Sequence, residues 1–266
     1  MESDTCCKWP KKYNVIGVDI SATTYDGLLE SVIEAAKMRQ PACVSHLAVH
    51  GLVVGSRDPG MREVLNELDV VAPDGMPVRL ALNILYKTRL PDRVYGPELM
   101  LRVCERADAD GISVYLYGSY PHVVKALREK LLQQYPKLRV VGCEPSIFRS
   151  LTKAEDKDLV NRVNESGAGV VFLGLGCPLQ ERFAYEHKGK IEAVQLCVGA
   201  AFDFLSGEKK MAPEWMQQHS LEWFFRLLQE PRRLLHRYFV TNTIFLSRFI
   251  LQFSGLKKYS RSIEER

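Results

Sequence analysis

The 266-residue chain carries 36 Lys and Arg against 32 Asp and Glu, a formal charge of +4, and is 46% hydrophobic. This composition excludes a disordered chain, a collagen-like repeat and a polytopic membrane protein, and the length fits one large domain with an appendage. From Gly207 onward eleven basic residues face six acids, so the body before it is near neutral and the C-terminal region holds the whole positive surplus. Nothing in so small a net charge points to nucleic acid as a partner.

Short apolar runs alternate with segments of helical period. A strand is predicted over Tyr13–Ile20 and a helix over Tyr25–Met38. The next pairs are Cys43–Val49 with Arg57–Leu68, and Val70–Ala72 with Met76–Tyr86, followed by a helix through Pro97–Arg106. Then come Ile112–Tyr117 with Pro121–Tyr135, Arg139–Cys143 with Thr152–Glu165, Gly169–Leu173 with Leu179–His187, and the strand Ala193–Val198. Continuous apolar strands such as Val170-Val171-Phe172-Leu173 require helices on both sheet faces. The expected fold is α/β, an open, mostly parallel Rossmann-like sheet with helices on both faces plus a C-terminal helical appendage. The boundary is placed at residue 207, with an α/β body over 1–207 and a basic, amphipathic appendage over 208–266. In the appendage, helices are predicted over Glu214–Leu228 and over Arg232–Phe239 running into Asn242–Leu256.

The seven cysteines, Cys6, Cys7, Cys43, Cys104, Cys143, Cys177 and Cys197, are scattered and include no C-x-x-C pair of metal spacing. They suit a reducing compartment rather than a disulfide framework or a zinc site. The first residues lack an apolar leader, so a cytoplasmic location is the default expectation.

In doubly wound sheets ligands bind beyond the carboxyl ends of the strands, which directs attention to three loops. In Pro73-Asp74-Gly75, Asp74 is either a general base in a cleft or the N-cap of the next helix. Gly174-Leu175-Gly176-Cys177-Pro178-Leu179-Gln180-Glu181 lets backbone N–H groups approach an anion, or is a tight turn with Gln180 and Glu181 as ordinary first-turn residues. It is neither G-x-G-x-x-G nor a Walker A loop, and the missing fingerprint after the first strand weakens a nicotinamide-dependent reading. Gly199–Gly207 places Asp203 between Phe202 and Phe204, either in a sugar or base pocket or as a turn-stabilising acid.

In the appendage, Arg226, Arg232, Arg233 and Arg237 cluster among aromatics, where forked guanidinium donors suit a diphosphate. The bland alternative is a solvated charged face with Glu222 and Glu230 as partners. The apolar run Asn242–Leu256, interrupted by Arg248 and Gln252, is too polar to span a bilayer. It reads as an interfacial helix attracted to anionic lipid through Arg248, Lys257, Lys258 and Arg261, or as a homo-oligomer contact. His46 and His50 lie in a segment that reads as strand and loop; no metal site is expected, and His50 before Gly51 faces the cleft.

Together and in this order, these loops resemble the WecG/TagA/CpsF glycosyltransferases, glycosyltransferase family 26. The residues that carry the resemblance are Arg57-Asp58-Pro59, Pro73-Asp74-Gly75, Arg93-Val94-Tyr95-Gly96, Gly174–Glu181, Gly199–Gly207, Ala212-Pro213-Glu214-Trp215-Met216, and Glu222-Trp223 through Glu230-Pro231-Arg232-Arg233-Leu234. The resemblance implies an inverting, metal-independent transferase without cofactor that moves a sugar from a UDP-sugar to a polyprenyl-diphosphate-linked saccharide, at the inner face of the cell membrane, in cell-surface polysaccharide synthesis. It makes Asp74 the general base, puts Arg93, Gln180 and Asp203 on the nucleotide sugar, and lets Arg226, Arg232, Arg233 and Arg237 close over the leaving diphosphate. Ala48 stands where members commonly place Asn, and Tyr95 where Thr is frequent. The Ala48 departure motivates a competing expectation, a catalytically impaired sugar-nucleotide-binding or scaffold protein on the same fold.

Overall fold

A computed structural model describes residues 7–213, 215, 216, 219 and 221–259, with Arg233 described by its backbone alone. The chain opens with an antiparallel hairpin, β1 (Lys12–Val15) and β2 (Val18–Ser21), where a single strand was expected. The reversal occurs at Ile16 and Gly17, whose φ values of 47° and 101° are both left-handed, and the Asn14 side chain accepts from the Gly17 N–H. Two consecutive left-handed residues are what a tight hairpin turn demands, and a β-branched first residue hides the signal in the sequence.

After helix α1 (Tyr25–Lys37), capped by the Thr24 hydroxyl, the main sheet is built from β3 (Ala42–Leu47), β4 (Val70–Pro73), β5 (Ser113–Gly118), β6 (Arg139–Glu144), β7 (Val170–Gly174) and β8 (Val194–Cys197). All six are parallel, in the order β4-β3-β8-β7-β5-β6, so every strand's carboxyl end opens onto one edge of the molecule. Alternate residues feed two separate cores. Along β7, Val170 and Phe172 join the core that contains α1 and α5 (Gly96–Asp110), while Val171 and Leu173 join the core on the other face. Phe172 is completely buried, a contribution of about 1.5–3 kcal/mol for one side chain.

The expected helix Arg57–Leu68 is present over Pro59–Glu67, and a helix that was not expected precedes it. Helix α2 (Val49–Arg57) starts earlier, directly after β3, and α3 (Pro59–Glu67) follows because Asp58 caps it through the Met61 N–H with Pro59 in its first turn. His50 therefore sits in the first turn of a helix and not in a loop. The remaining body helices are α4 (Met76–Tyr86), α6 (Pro121–Gln134), α7 (Lys153–Glu165), α8 (Leu179–Glu186) and α9 (Ala201–Ser206). The last lies inside what reads as a loop from Gly199 to Gly207.

At the C-terminus α10 spans Glu222–Gln229, shorter than the expected Glu214–Leu228, and Glu214 itself lies outside the described residues. Helix α11 (Pro231–Phe253) is one uninterrupted rod. Its Leu234, Thr241, Phe245, Arg248 and Gln252 recur at helical spacing toward the body. Gln252 accepts from Ile16 N–H and donates to Asn14 carbonyl, and Arg248 donates to the Ser56 carbonyl and to its hydroxyl at 3.0 Å. The assignment of Arg248 to lipid is thereby corrected: its guanidinium is spent on the C-terminal turn of α2. Lys257 sits over the Tyr259 ring, and Arg261 lies outside the described residues. The opposite face of α11 exposes Leu235, Phe239, Leu246, Ile250 and Phe253, with Phe239 74% exposed. Among the described residues no helix is long and apolar enough to cross a membrane.

The carboxyl ends of β5 and β7 touch backbone to backbone. A Cβ at Gly118 (φ 132°) would lie 2.6 Å from the Gly174 carbonyl carbon. Gly118→Ala is expected to cost about 2–3 kcal/mol, read by urea denaturation, because neither backbone can yield. A loss under about 0.5 kcal/mol would show that the strand ends are not held this close.

Candidate active site

Where β3 and β4 end, the chain encloses a cavity of about 350 Å³. Its floor is Ala48, Val49 and His50 from the start of α2 and Asp74, Gly75, Met76 and Pro77 from the start of α4; Arg93 and Tyr95 form one wall. The roof comes from the appendage: Glu222, Trp223 and Arg226 of α10, and Arg237, Tyr238, Thr241 and Asn242 of α11.

Local folding places each side chain. The Asp74 N–H donates to the Leu47 carbonyl, fixing the residue at the junction of β3 and β4. The N-cap of α4 is Gly75, with no side-chain capping bond, so the alternative reading of Asp74 as a helix cap is not what the structure contains. The Val94 N–H donates to the Pro73 carbonyl and the Tyr95 N–H to the Tyr25 hydroxyl, and these two bonds lay residues 93–95 alongside the end of β4. Arg93 then reaches Asp74 with its guanidinium, 3.8 Å to the carboxylate and 3.3 Å to the main-chain carbonyl, while its other terminal nitrogen forms an ion pair with Glu222. The guanidinium carbon lies 4.8 Å from the centroid of the Tyr95 ring.

Burial pushes the Asp74 carboxyl up to about 6, opposed by the charges of Arg93 and Arg226 and reinforced by Glu222, although its side chain keeps 22% of its surface open to the cleft. A carboxyl in that range is a carboxylate at neutral pH and a better proton acceptor than an ordinary aspartate. Burial, then the charge of Arg237, hold His50 below its ordinary value, so it is neutral; its buried Nδ1 has no hydrogen-bond partner among the described residues. His46 is neutral for the same reason, held at about 4 by burial, and its Nδ1 meets the Cys197 carbonyl behind the cavity, which makes it a core histidine.

Of the residues singled out in the sequence, Asp74, Arg93, His50, Arg226 and Arg237 converge on this one cavity. The remaining ones are not among the residues that line it. Gly174 ends β7, and a Cβ there would strike the Phe202 ring at 2.5 Å; Gly176 (φ 79°) turns the chain into α8. Gln180 accepts from the Gly176 N–H and donates to Glu181, and Glu181 also accepts from Ser45 at 2.9 Å. Both side chains are buried, so their bonds brace the glycine loop from behind and join it to β3. Asp203 accepts from Ser119 and is paired with Lys209 at 3.1 Å, which also reaches Glu230 at the elbow between α10 and α11. Arg226 lies over the Phe204 ring, 5.5 Å from its centroid. Arg232 is exposed, and the Arg233 side chain lies outside the described residues.

The sequence named Glu222 only as a partner for the appendage arginines and Trp223 only within the family pattern, and gave no site role to these two or to Tyr238, Thr241 or Asn242. The usable signal was spacing: Glu222 and Arg226 are four apart on α10 and so share a face, as do Leu234, Tyr238 and Thr241 on α11. Among the described residues no group of three or more His, Cys, Asp or Glu side chains is placed to hold a metal ion.

The electrostatics predict that the Asp74 carboxyl, followed by carbon-detected NMR, titrates near pH 6 and that Arg93→Ala moves it higher, since Arg93 is the leading charge that favours the ionised form. Titration in the ordinary aspartate range near 4 would refute the enclosed, two-carboxylate geometry.

The chain matches the family described as "Glycosyl transferase WecG/TagA/CpsF family" over residues 13–259. An N-acetylglucosaminyldiphosphoundecaprenol N-acetyl-beta-D-mannosaminyltransferase of Bacillus subtilis (strain 168) is 30% identical to it over 179 residues, which covers 66% of this chain and 67% of that protein. Its namesake in Bacillus spizizenii (strain ATCC 23059 / NRRL B-14472 / W23) is 28% identical over 178 residues, with the same coverage. With a raised-affinity carboxylate, a guanidinium cluster and a matching sequence pattern along nearly its whole length, the chain belongs to the WecG/TagA/CpsF family of glycosyltransferases.

Proposed function

We propose that this chain transfers a sugar, with inversion, from a UDP-sugar to a saccharide carried on a polyprenyl diphosphate, with Asp74 as general base and without a metal ion, in cell-surface polysaccharide synthesis. The observation that carries the reading is the single cavity in which Asp74 stands beside Arg93 and under Arg226 and Arg237. The names of the two Bacillus relatives, both transferases acting on a diphosphoundecaprenol-linked sugar, support the acceptor class.

In this mechanism the acceptor hydroxyl oxygen attacks the anomeric carbon while Asp74 takes the hydroxyl proton. The bond from that carbon to the diphosphate oxygen breaks, and its electron pair leaves with UDP. Charge builds on the leaving diphosphate, where guanidinium groups stabilise the transition state electrostatically, the part a divalent cation plays in other transferases. The glycine loop after β7 and Asp203 flank the same edge of the sheet and are assigned to the nucleotide sugar, while His50 offers a neutral ring to the acceptor. The exposed apolar face of α11 is assigned to the inner surface of the cell membrane, which presents the acceptor's head group to the cavity.

Asp74→Asn is expected to lower the transfer rate at least about a thousandfold while the folded protein still binds UDP, measured by product formation and calorimetry. Near wild-type turnover would remove Asp74 as base, and a strict requirement for divalent ion after chelation would remove the guanidinium role. Phe239→Glu with Ile250→Glu is expected to abolish co-sedimentation with anionic vesicles and to spare transfer to a short-chain acceptor in detergent. Retained vesicle binding would sever α11 from the membrane.

A further inference from the structure

Glu222 has no part in the chemistry above, yet it takes up the guanidinium that the chemistry needs. Its side chain and that of Arg93 are 9% and 13% exposed, and the two are joined as an ion pair across the interface between α10 and the loop after α4. A buried guanidinium without a partner is costly, so Arg93 must always be neutralised by something. Among the described residues the cavity is lined by three guanidinium groups, Arg93, Arg226 and Arg237, and by two carboxylates, Asp74 and Glu222. Asp74 is committed to the acceptor proton by its place at the end of β4. Among the described residues, that leaves Glu222 as the wall carboxylate that a diphosphate, with its roughly two negative charges, can replace at Arg93.

We propose that Glu222 is a stand-in anion, holding Arg93 until the diphosphate of the sugar nucleotide displaces it and re-forming the pair to expel UDP afterwards. The inference rests on the reading that a sugar diphosphate is bound under these arginines. Glu222 lies in the first turn of α10 with Arg226 one turn further on the same face, so a change of the Glu222 side-chain rotamer releases the carboxylate while the helix keeps Arg226 over the cavity. A ligand with a single negative charge gains too little at Arg93 to replace a carboxylate already seated there. The exchange therefore selects diphosphate diesters over phosphate diesters, which carry one negative charge. Glu222 is a positioning residue, acting on the reaction through Arg93.

The exchange and a purely mechanical clamp between α10 and the body predict opposite changes in affinity. If Glu222 competes with the diphosphate, Glu222→Gln should bind UDP and inorganic pyrophosphate about tenfold more tightly than wild type by calorimetry, and Glu222→Asp, with its shorter reach, by an intermediate factor. Steady-state kinetics should show a lower KM for the donor, a lower kcat and stronger product inhibition by UDP. The acid limb of kcat/KM should shift to lower pH, because Asp74 then faces Arg93, Arg226 and Arg237 with neutral His50 and Tyr95 but without a second carboxylate. Unchanged or weaker UDP binding in both variants, with wild-type hydrogen-exchange protection of α10 and α11, would overturn the exchange while leaving the proposed function standing. Failure of wild-type protein to bind either UDP or pyrophosphate would overturn both.

Discussion

The guanidinium of Arg93 lies between a carboxylate at the end of a central strand and a carboxylate delivered by the C-terminal helices. This sharing ties the two parts of the chain into one reaction chamber. The body alone supplies an acid and a cation at the open edge of a parallel sheet, exposed to water on one side. Residues of α10 and α11 complete the lining of the cavity, where burial lifts the Asp74 carboxyl. In an exposed setting such a pair contributes little, and its weight here comes from enclosure. The second tie, Lys209 between Asp203 and Glu230, is half exposed and adds direction more than energy.

The sheet makes this arrangement possible through its uniform direction. With all strands parallel, the loops after β3, β4, β5, β7 and β8 emerge together, and residues far apart in sequence become neighbours. Gln180 and Glu181 illustrate how the edge is stiffened from within. They are buried polar side chains bonded to each other, to Ser45 and to the glycine loop, so that the loop after β7 is held to β3 by hydrogen bonds as well as by packing.

Much of this was legible in the sequence, for definite reasons. Strands buried on both faces read as unbroken apolar runs, and Val170–Leu173 could be placed by eye. Asp74, an acid between Pro and Gly directly after such a run, could be a helix cap as readily as a base, and it was the resemblance to the family that favoured the base. What stayed hidden depended on distant partners or on backbone conformation. Glu222 looks like a solvated first-turn acid until Arg93 is seen beside it. Arg248 reads as a lipid-facing cation but is turned inward by Ser56, a residue near the other end of the chain. The hairpin at Ile16 escaped because its left-handed turn begins with a residue type that seldom adopts that conformation.

Helix α11 carries Arg237 near its first turns and a continuous outward apolar stripe along the rest of its length. A rod of 23 residues extends about 35 Å at 1.5 Å per residue. Because its inner face is bolted to α2 and the hairpin, the rod cannot tilt independently of the cavity. Under the proposed membrane role, the rod laid on a lipid surface would act as a gauge, fixing the height of Asp74 above the head groups. The length of saccharide that can be extended would then be set by standoff distance as much as by recognition.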